Sequence, residues 1–298
     1  MIDPNLNITS FLSNDLDSIQ NSGERSTPAR RISNIFLNTF PWERIKKELG
    51  EINVVDIGCG AGYLTKRLID EYSNEQISTY TGVDIYPHYE DWFKLQERYP
   101  NVKFHVIQSQ EEFLGAIPEG TNFFMSQSAI EHIEEDLKLF QDIYKYISDS
   151  QKNIIQVHLF PAAASLWLYF FHGLRQYTFR TVSIISRLFS RDSSYCLLIE
   201  LGKGLFGMQF RQFTVPILRY YLLKLFDKMG FYRFPINYRI PHLGKLHDQK
   251  KIVYYNDEFI KAMKKGSVSK FSRPSFYALI IHSNWESRIF NEDITDKV

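Results

Sequence analysis

The sequence predicts an α/β fold built on a mostly parallel sheet, and three observations predict it. Short apolar runs alternate with amphipathic stretches along residues 52 to 161. One such run, with Val54, Val55 and Ile57, opens onto a turn that holds Gly58, Gly60 and Gly62. An acid, Asp84, closes the next apolar run. Strand, glycine turn and helix start are the parts with which α/β proteins hold nucleotide-like ligands, because glycines let the backbone turn tightly and approach a ligand with no Cβ in the way. The turn does not suit a phosphate: it has no G-K-[ST], and Asp56 beside it would repel one. At the carboxyl end of its strand, Asp56 is expected to face a cationic group.

The elements follow in order. Residues 1 to about 25 are polar and read as a loose or docking arm. Residues 27–49 place Ile32, Ile35, Phe36 and Phe40 on one helical face, a cover helix for the ligand site or for the sheet. Strands are expected at 52–57, 77–86, 102–109, 121–133 and 153–161, with helices between them. Asp84 ends the second strand, where a carboxylate offers two acceptors to a vicinal diol such as ribose. The stretch 210–240 reads as a helix followed by a strand, and 275–283 as the final strand. Residues 1–50 thus form an arm and cover helix. Residues 51–298 form one domain, with insertions at 160–209 and 241–274.

Composition narrows the function. The chain has 298 residues, 44% of them hydrophobic, and a formal net charge of +1, which argues against a dedicated nucleic-acid binder. Two cysteines, Cys59 and Cys196, make neither a disulfide framework nor a zinc site. The polar N-terminus lacks the pattern of a signal peptide, and no run reaches about 18 uninterrupted apolar residues. A cytoplasmic location is the expectation.

The run V-V-D-I-G-C-G-A-G resembles the first motif of class I S-adenosylmethionine-dependent methyltransferases. S-Q-S-A-I-E-H-I, at 126–133, resembles a segment common in the small-molecule members, and 210–240 resembles the family's last helix and strand. The resemblance implies a Rossmann-like methyltransferase sandwich: a mostly parallel seven-stranded sheet with an antiparallel last strand, plus a helical lid insertion. It implies S-adenosyl-L-methionine as cofactor. Asp56, Gly58, Gly60 and Gly62 would hold its methionine end, Asp84 with the adjoining Ile85 the ribose side, and Ser109 and Gln110 the adenine. Ser126, Gln127 and Ser128 would line the floor near the sulfonium. Two positions depart from the family's pattern: Asn122 stands for an acid at the fourth strand's start, and Gln108-Ser109-Gln110-Glu111 lacks the usual Asp.

Methyl transfer from a sulfonium is an in-line substitution, so the protein supplies position and a base. A hydroxyl acceptor must lose a proton, and a histidine near neutrality suits that task. Three candidates are His158 in the fifth strand, His132 after the fourth, and His172 in the first insertion. No [DN]-P-P-[YF] signature, metal-ligating cluster or catalytic cysteine is present. The expected reaction is methyl transfer to a hydroxyl oxygen of a small or carrier-linked acceptor. The apolar run Leu159 to Phe171, followed by His172, Arg175 and Arg180, reads as an amphipathic lid, as a peripheral contact with lipid, or as a dimer contact. Alternatives are methylation of a lipid quinone or surface-glycan precursor, and a non-catalytic cofactor-binding partner subunit. The oligomeric state is open.

Overall fold

A computed structural model describes residues 2–11, 28–73, 76–163, 175–190, 194–210, 249–267 and 272–284, with single positions at 215, 218, 222, 225 and 229. Among the described residues eight strands form one sheet: β1 (Leu6–Ser10), β2 (Ile52–Ile57), β3 (Ile77–Asp84), β4 (Val102–Val106), β5 (Phe123–Gln127), β6 (Ile155–Pro161), β7 (Tyr195–Leu201) and β8 (Phe276–His282). Their spatial order is β1-β7-β8-β6-β5-β2-β3-β4. Only β8 runs against its neighbours, β6 and β7.

The described helices are α1 (Pro28–Asn38), α2 (Trp42–Leu49), α3 (Tyr63–Arg67), α4 (Tyr89–Arg98), α5 (Phe113–Ala116), α6 (Asp136–Ser150), α7 (Phe179–Ser190), α8 (Phe206–Gln209) and α9 (Gln249–Ser267). They cover both faces of the sheet. On one side Ile32 and Phe36 of α1, Trp42 and Ile45 of α2, and Phe259 of α9 pack with Val54, Phe123 and Val157. On the other Phe140 and Ile143 of α6, and Val182 and Ile185 of α7, pack with Val55, Phe124 and Phe160. The central strands are buried on both faces, so they read as continuous apolar runs. Helix α6 follows from Leu139, Phe140, Ile143 and Ile147 on one face, and it ends where Gln151 turns left-handed at φ 52°.

Two expectations are corrected. The start of the chain is not a loose arm throughout: Leu6–Ser10 pairs in parallel with β7 and widens the sheet to eight strands. It stays polar because an edge strand keeps one side in water, and Ile8 is exposed there. The segment 160–209 is not wholly an insertion, since β7 lies within it and pairs with β8 along its length. A short apolar run with no period can be either a buried strand or a buried helix, which is why Tyr195–Leu201 escaped notice. The helix and strand expected over 210–240 lie almost entirely outside the described residues.

Candidate functional site

The carboxyl ends of β2, β3 and β5 meet at the glycine turn. Gly58 takes φ 71°, its N–H donates to the Val83 carbonyl at 2.8 Å, and Gly62 N–H donates back to Cys59 at 3.1 Å. A Cβ on Gly58 would lie 2.4 Å from the Ala129 Cβ, so this turn presses directly on the loop after β5. Around Gly60 the opposite holds: nothing lies within 4 Å of where its Cβ would stand. That open backbone is the cradle a ligand needs. Trp92 of α4 donates its indole N–H to the Gly60 carbonyl at 2.7 Å, and its ring stacks on Phe104 at 5.0 Å. The turn is thereby held from below.

Asp84 closes β3 beside that cradle. Its Oδ2 accepts the Gly60 N–H at 2.7 Å and its Oδ1 the Tyr86 N–H at 2.9 Å. Each carboxylate oxygen has about two acceptor sites, so one per oxygen is left for a vicinal diol. Ile85 follows, 56% exposed, an apolar shelf next to the carboxylate. The open turn, the diol acceptor and the shelf fit S-adenosylmethionine, with Gly58, Gly60, Gly62, Asp84 and Ile85 as the residues that would hold it.

Asp56 departs from its expected place. It is buried beneath the turn, where the Tyr80 hydroxyl donates to its Oδ2 at 2.5 Å and Thr65 donates to Tyr80 at 2.9 Å. Burial pushes its carboxyl up to about 7 against the opposing pull of the Tyr80 hydrogen bond, and nearby Asp84 adds to the rise. Its role is to support the turn. Ser109 and Gln110 are also engaged within the protein. The Gln110 amide donates to the Glu135 carbonyl at 2.8 Å, and the Ser109 hydroxyl is the main cause that holds Glu111 down at about 2.

The loop after β5 carries the rest. Ser128 sits at φ 54°, a left-handed conformation unusual for a residue with a Cβ, and its N–H donates to Leu159 at 2.8 Å. Gln127 is half-buried, and its side-chain amide meets that of Asn34 on α1 at 3.1 Å. Helix α1 therefore reaches over the carboxyl end of β5. Ser126 points the other way, into the core, with its Oγ 2.9 Å from His158 Nδ1. Its expected place on the floor of the site is corrected.

His158 is corrected too. It is fully buried between Ser126 and Gln156, with Phe140 edge-on at 5.0 Å, and burial pushes its imidazole down to about 3. Its side chain packs on the α6 side of the sheet, closed off from solvent. His172 lies outside the described residues. His132 is exposed, in the 3-10 turn Ile130–His132, and partial burial holds its imidazole below the ordinary value.

Sequence reasoning missed two features here. Glu131, within the quoted E-H pair, is buried, and burial pushes its carboxyl up to about 8 against the pull of Arg30 on α1. The signal lay in that motif, where attention to histidine passed over its neighbour. The chain also returns at Arg175–Tyr177 to seal this loop. Arg175 N–H donates to the Glu131 carbonyl at 3.1 Å, its guanidinium meets Asp136 at 2.7 Å, and the Tyr177 hydroxyl donates to Asp136 at 2.7 Å.

Residues 55–152 match the family model of a methyltransferase domain. No curated protein matches the chain. Among solved structures, the chain is similar to a putative sarcosine dimethylglycine methyltransferase from Galdieria sulphuraria, at 12% identity and TM-score 0.48, covering 93% of this chain and 92% of that one. It is also similar to a SAM dependent methyltransferase from Archaeoglobus fulgidus, at 18% identity and TM-score 0.45, covering 85% and 94%. Such distant likenesses carry no argument; the matched domain spans the glycine turn, the diol acceptor and strands β3 to β5. The match to a methyltransferase domain over residues 55–152 agrees with the resemblance to class I S-adenosylmethionine-dependent methyltransferases that the glycine turn carries.

Proposed function

We propose that this enzyme methylates a hydroxyl oxygen of a small or carrier-linked acceptor, with His132 as general base. The observation that carries the reading is the position of His132. Its turn begins immediately after Ala129, the residue pressed against Gly58 of the cofactor turn. The imidazole is exposed, and its lowered pKa keeps it neutral at pH 7, ready to accept a proton.

S-adenosylmethionine, when bound, supplies an electrophilic methyl group. The protein's own residues do the rest. Asp84 and the open backbone at Gly60 orient the ligand, α1 and Arg175–Tyr177 limit water at the β5 loop, and His132 takes the hydroxyl proton on a ring nitrogen. A lipid quinone or surface-glycan precursor is the second reading of the acceptor, motivated by the apolar run Leu159 to Phe171 that leaves the carboxyl end of β6.

His132→Gln tests the base. Turnover, followed as S-adenosylhomocysteine release with a metabolite extract as acceptor source, should fall by about a hundredfold or more. Affinity for S-adenosylhomocysteine should not change. In the parent enzyme the rate should rise with pH through a pKa below 6.5 and be level by neutrality. Near-normal turnover in the variant would remove His132 and favour an amine or an already acidic hydroxyl. Absence of turnover in the parent with every extract, despite intact binding, would favour a non-catalytic partner subunit.

A further inference from the structure

The turn that carries His132 is fixed from a distance. Within it, the His132 N–H donates to the Ala129 carbonyl at 2.9 Å and the Ile133 N–H to that of Ile130 at 3.2 Å. Three residues of 3-10 helix, with their poorer hydrogen-bond geometry, hold little by themselves. Two successive carbonyls of the turn are met by the chain that returns after β6. Arg175 N–H donates to the Glu131 carbonyl at 3.1 Å, and the Tyr177 hydroxyl lies 3.3 Å from the Ile130 carbonyl.

One buried acid joins these contacts. Asp136, the first residue of α6, is fully buried. Its Oδ2 accepts the Tyr177 hydroxyl at 2.7 Å, and its Oδ1 accepts the Leu137 N–H at 2.8 Å and the Arg175 guanidinium at 2.7 Å. Three donors on one carboxylate offset the cost of taking it out of water. Tyr177 is anchored in turn. It is fully buried, its ring centroid lies 4.3 Å from that of Phe160 in β6, and its carbonyl accepts the Ala163 N–H at 2.9 Å. Strand β6 lies between β5 and β8 inside the sheet, so the turn is tied through Tyr177 to a central strand.

We propose that Asp136, Arg175 and Tyr177 are positioning residues for proton removal, holding the Ile130–His132 turn so that the His132 imidazole meets the acceptor hydroxyl. This inference rests on the reading of His132 as general base. The chemistry requires such a hold. A base must lie within about 3 Å of the proton it takes, and a misplacement of about 1 Å costs on the order of a hundredfold in rate. Stability alone gives little reason for the group, since apolar side chains of like volume often stabilise a site as well as a buried ion pair does. Directional hydrogen bonds at two successive carbonyls fix the peptide that leads into His132. None of the three residues is placed on a reacting atom, and each acts through the turn.

Tyr177→Phe in the full chain is the test, because it keeps the ring against Phe160 and removes only the hydroxyl. Turnover, read as S-adenosylhomocysteine release with a metabolite extract as acceptor source, should fall by about tenfold or more. Unchanged affinity for S-adenosylhomocysteine serves as the check on folding. The histidine supplies a second readout, independent of turnover. Partial burial keeps its pKa below the ordinary 6.5, so a loosened turn rehydrates the ring and moves its titration midpoint, followed by NMR, up toward 6.5. The substitution changes no charge, so the shift reports the surroundings of the ring. In a His132→Gln background, Tyr177→Phe should cost nothing further, whereas independent effects would multiply. Arg175→Lys, which keeps the charge and the backbone N–H, should retain more turnover than Arg175→Gln, and this pair stands if Tyr177→Phe does not fold. Parental turnover in Tyr177→Phe, an unmoved midpoint, or losses that multiply would overturn the positioning role and leave His132 as the base. Near-normal turnover in His132→Gln would remove the base, and the positioning role with it.

Discussion

Asp84 binds its own backbone with both oxygens, so one side chain shapes the turn and keeps acceptor capacity for the ligand. Asp84→Ala removes both functions and should weaken S-adenosylhomocysteine binding by about 2–3 kcal/mol, or roughly 30- to 150-fold, in calorimetry. Asp56 is a different kind of acid. Its folded pKa of about 7 lies above the ordinary 3.8. Below the lower value both folded and unfolded chains are protonated there. As pH rises toward 7 only the unfolded chain loses its proton, so stability declines, with an upper limit of roughly 4 kcal/mol. Asp56→Asn should therefore gain stability over the parent as pH rises from about 4 to 7, and level off above that, in denaturant titrations. Equal pH dependence in both proteins would mean that Asp56 is ionised when folded. The glycines and Asp84 were legible in the sequence because the local motif alone sets their conformation. Asp56 was misplaced because its partner, Tyr80, comes from the next strand.

At the scale of elements, the glycine turn and the loop after β5 act as one unit. Gly58 needs both its positive φ and its missing Cβ, because Ala129 leaves no room. Gly58→Ala should cost about 1–3 kcal/mol of stability and push the loop carrying Ser128 and His132 off the turn. Denaturant unfolding would show the first effect, and a joint loss of cofactor affinity and turnover the second. A variant with parental stability would mean that the loop yields easily. Pattern alone placed His158 and Ser126 on a strand, yet it could not say which face of β6 or β5 each side chain takes. Burial between α6 and the sheet decided that, and it took both residues out of the site.

The whole molecule depends on pieces far apart in sequence. β1 lies at one edge of the sheet only because β7 is there to pair with it. Nearby Asp3 ties the same segment to α7: its N–H donates to Ser183 at 3.0 Å, and Ser186 donates to its carboxylate at 2.8 Å. Removing residues 1–11 should lower Tm by roughly 5–10 °C and, by baring the β7 edge, promote aggregation. Scanning calorimetry and light scattering would measure both, and an unchanged Tm would show that β1 adds little to the folded state.

Sequence by itself determined the alternation of strands and helices over 52–161, the ligand-holding turn and the acid that closes β3. Those features are written in local periodicity, in glycine and in short-range spacing, which need no distant partner. Tertiary structure alone decided that Leu6–Ser10 joins the sheet, that Tyr195–Leu201 fills the place beside β8, and that His158 is sealed in the core while His132 stays exposed. The reason is physical. Strand pairing, burial and the pKa shifts that follow are properties of contacts between separate elements, from Ser126 against His158 to Leu6 against Cys196, and a linear pattern carries no record of which distant surface will cover it.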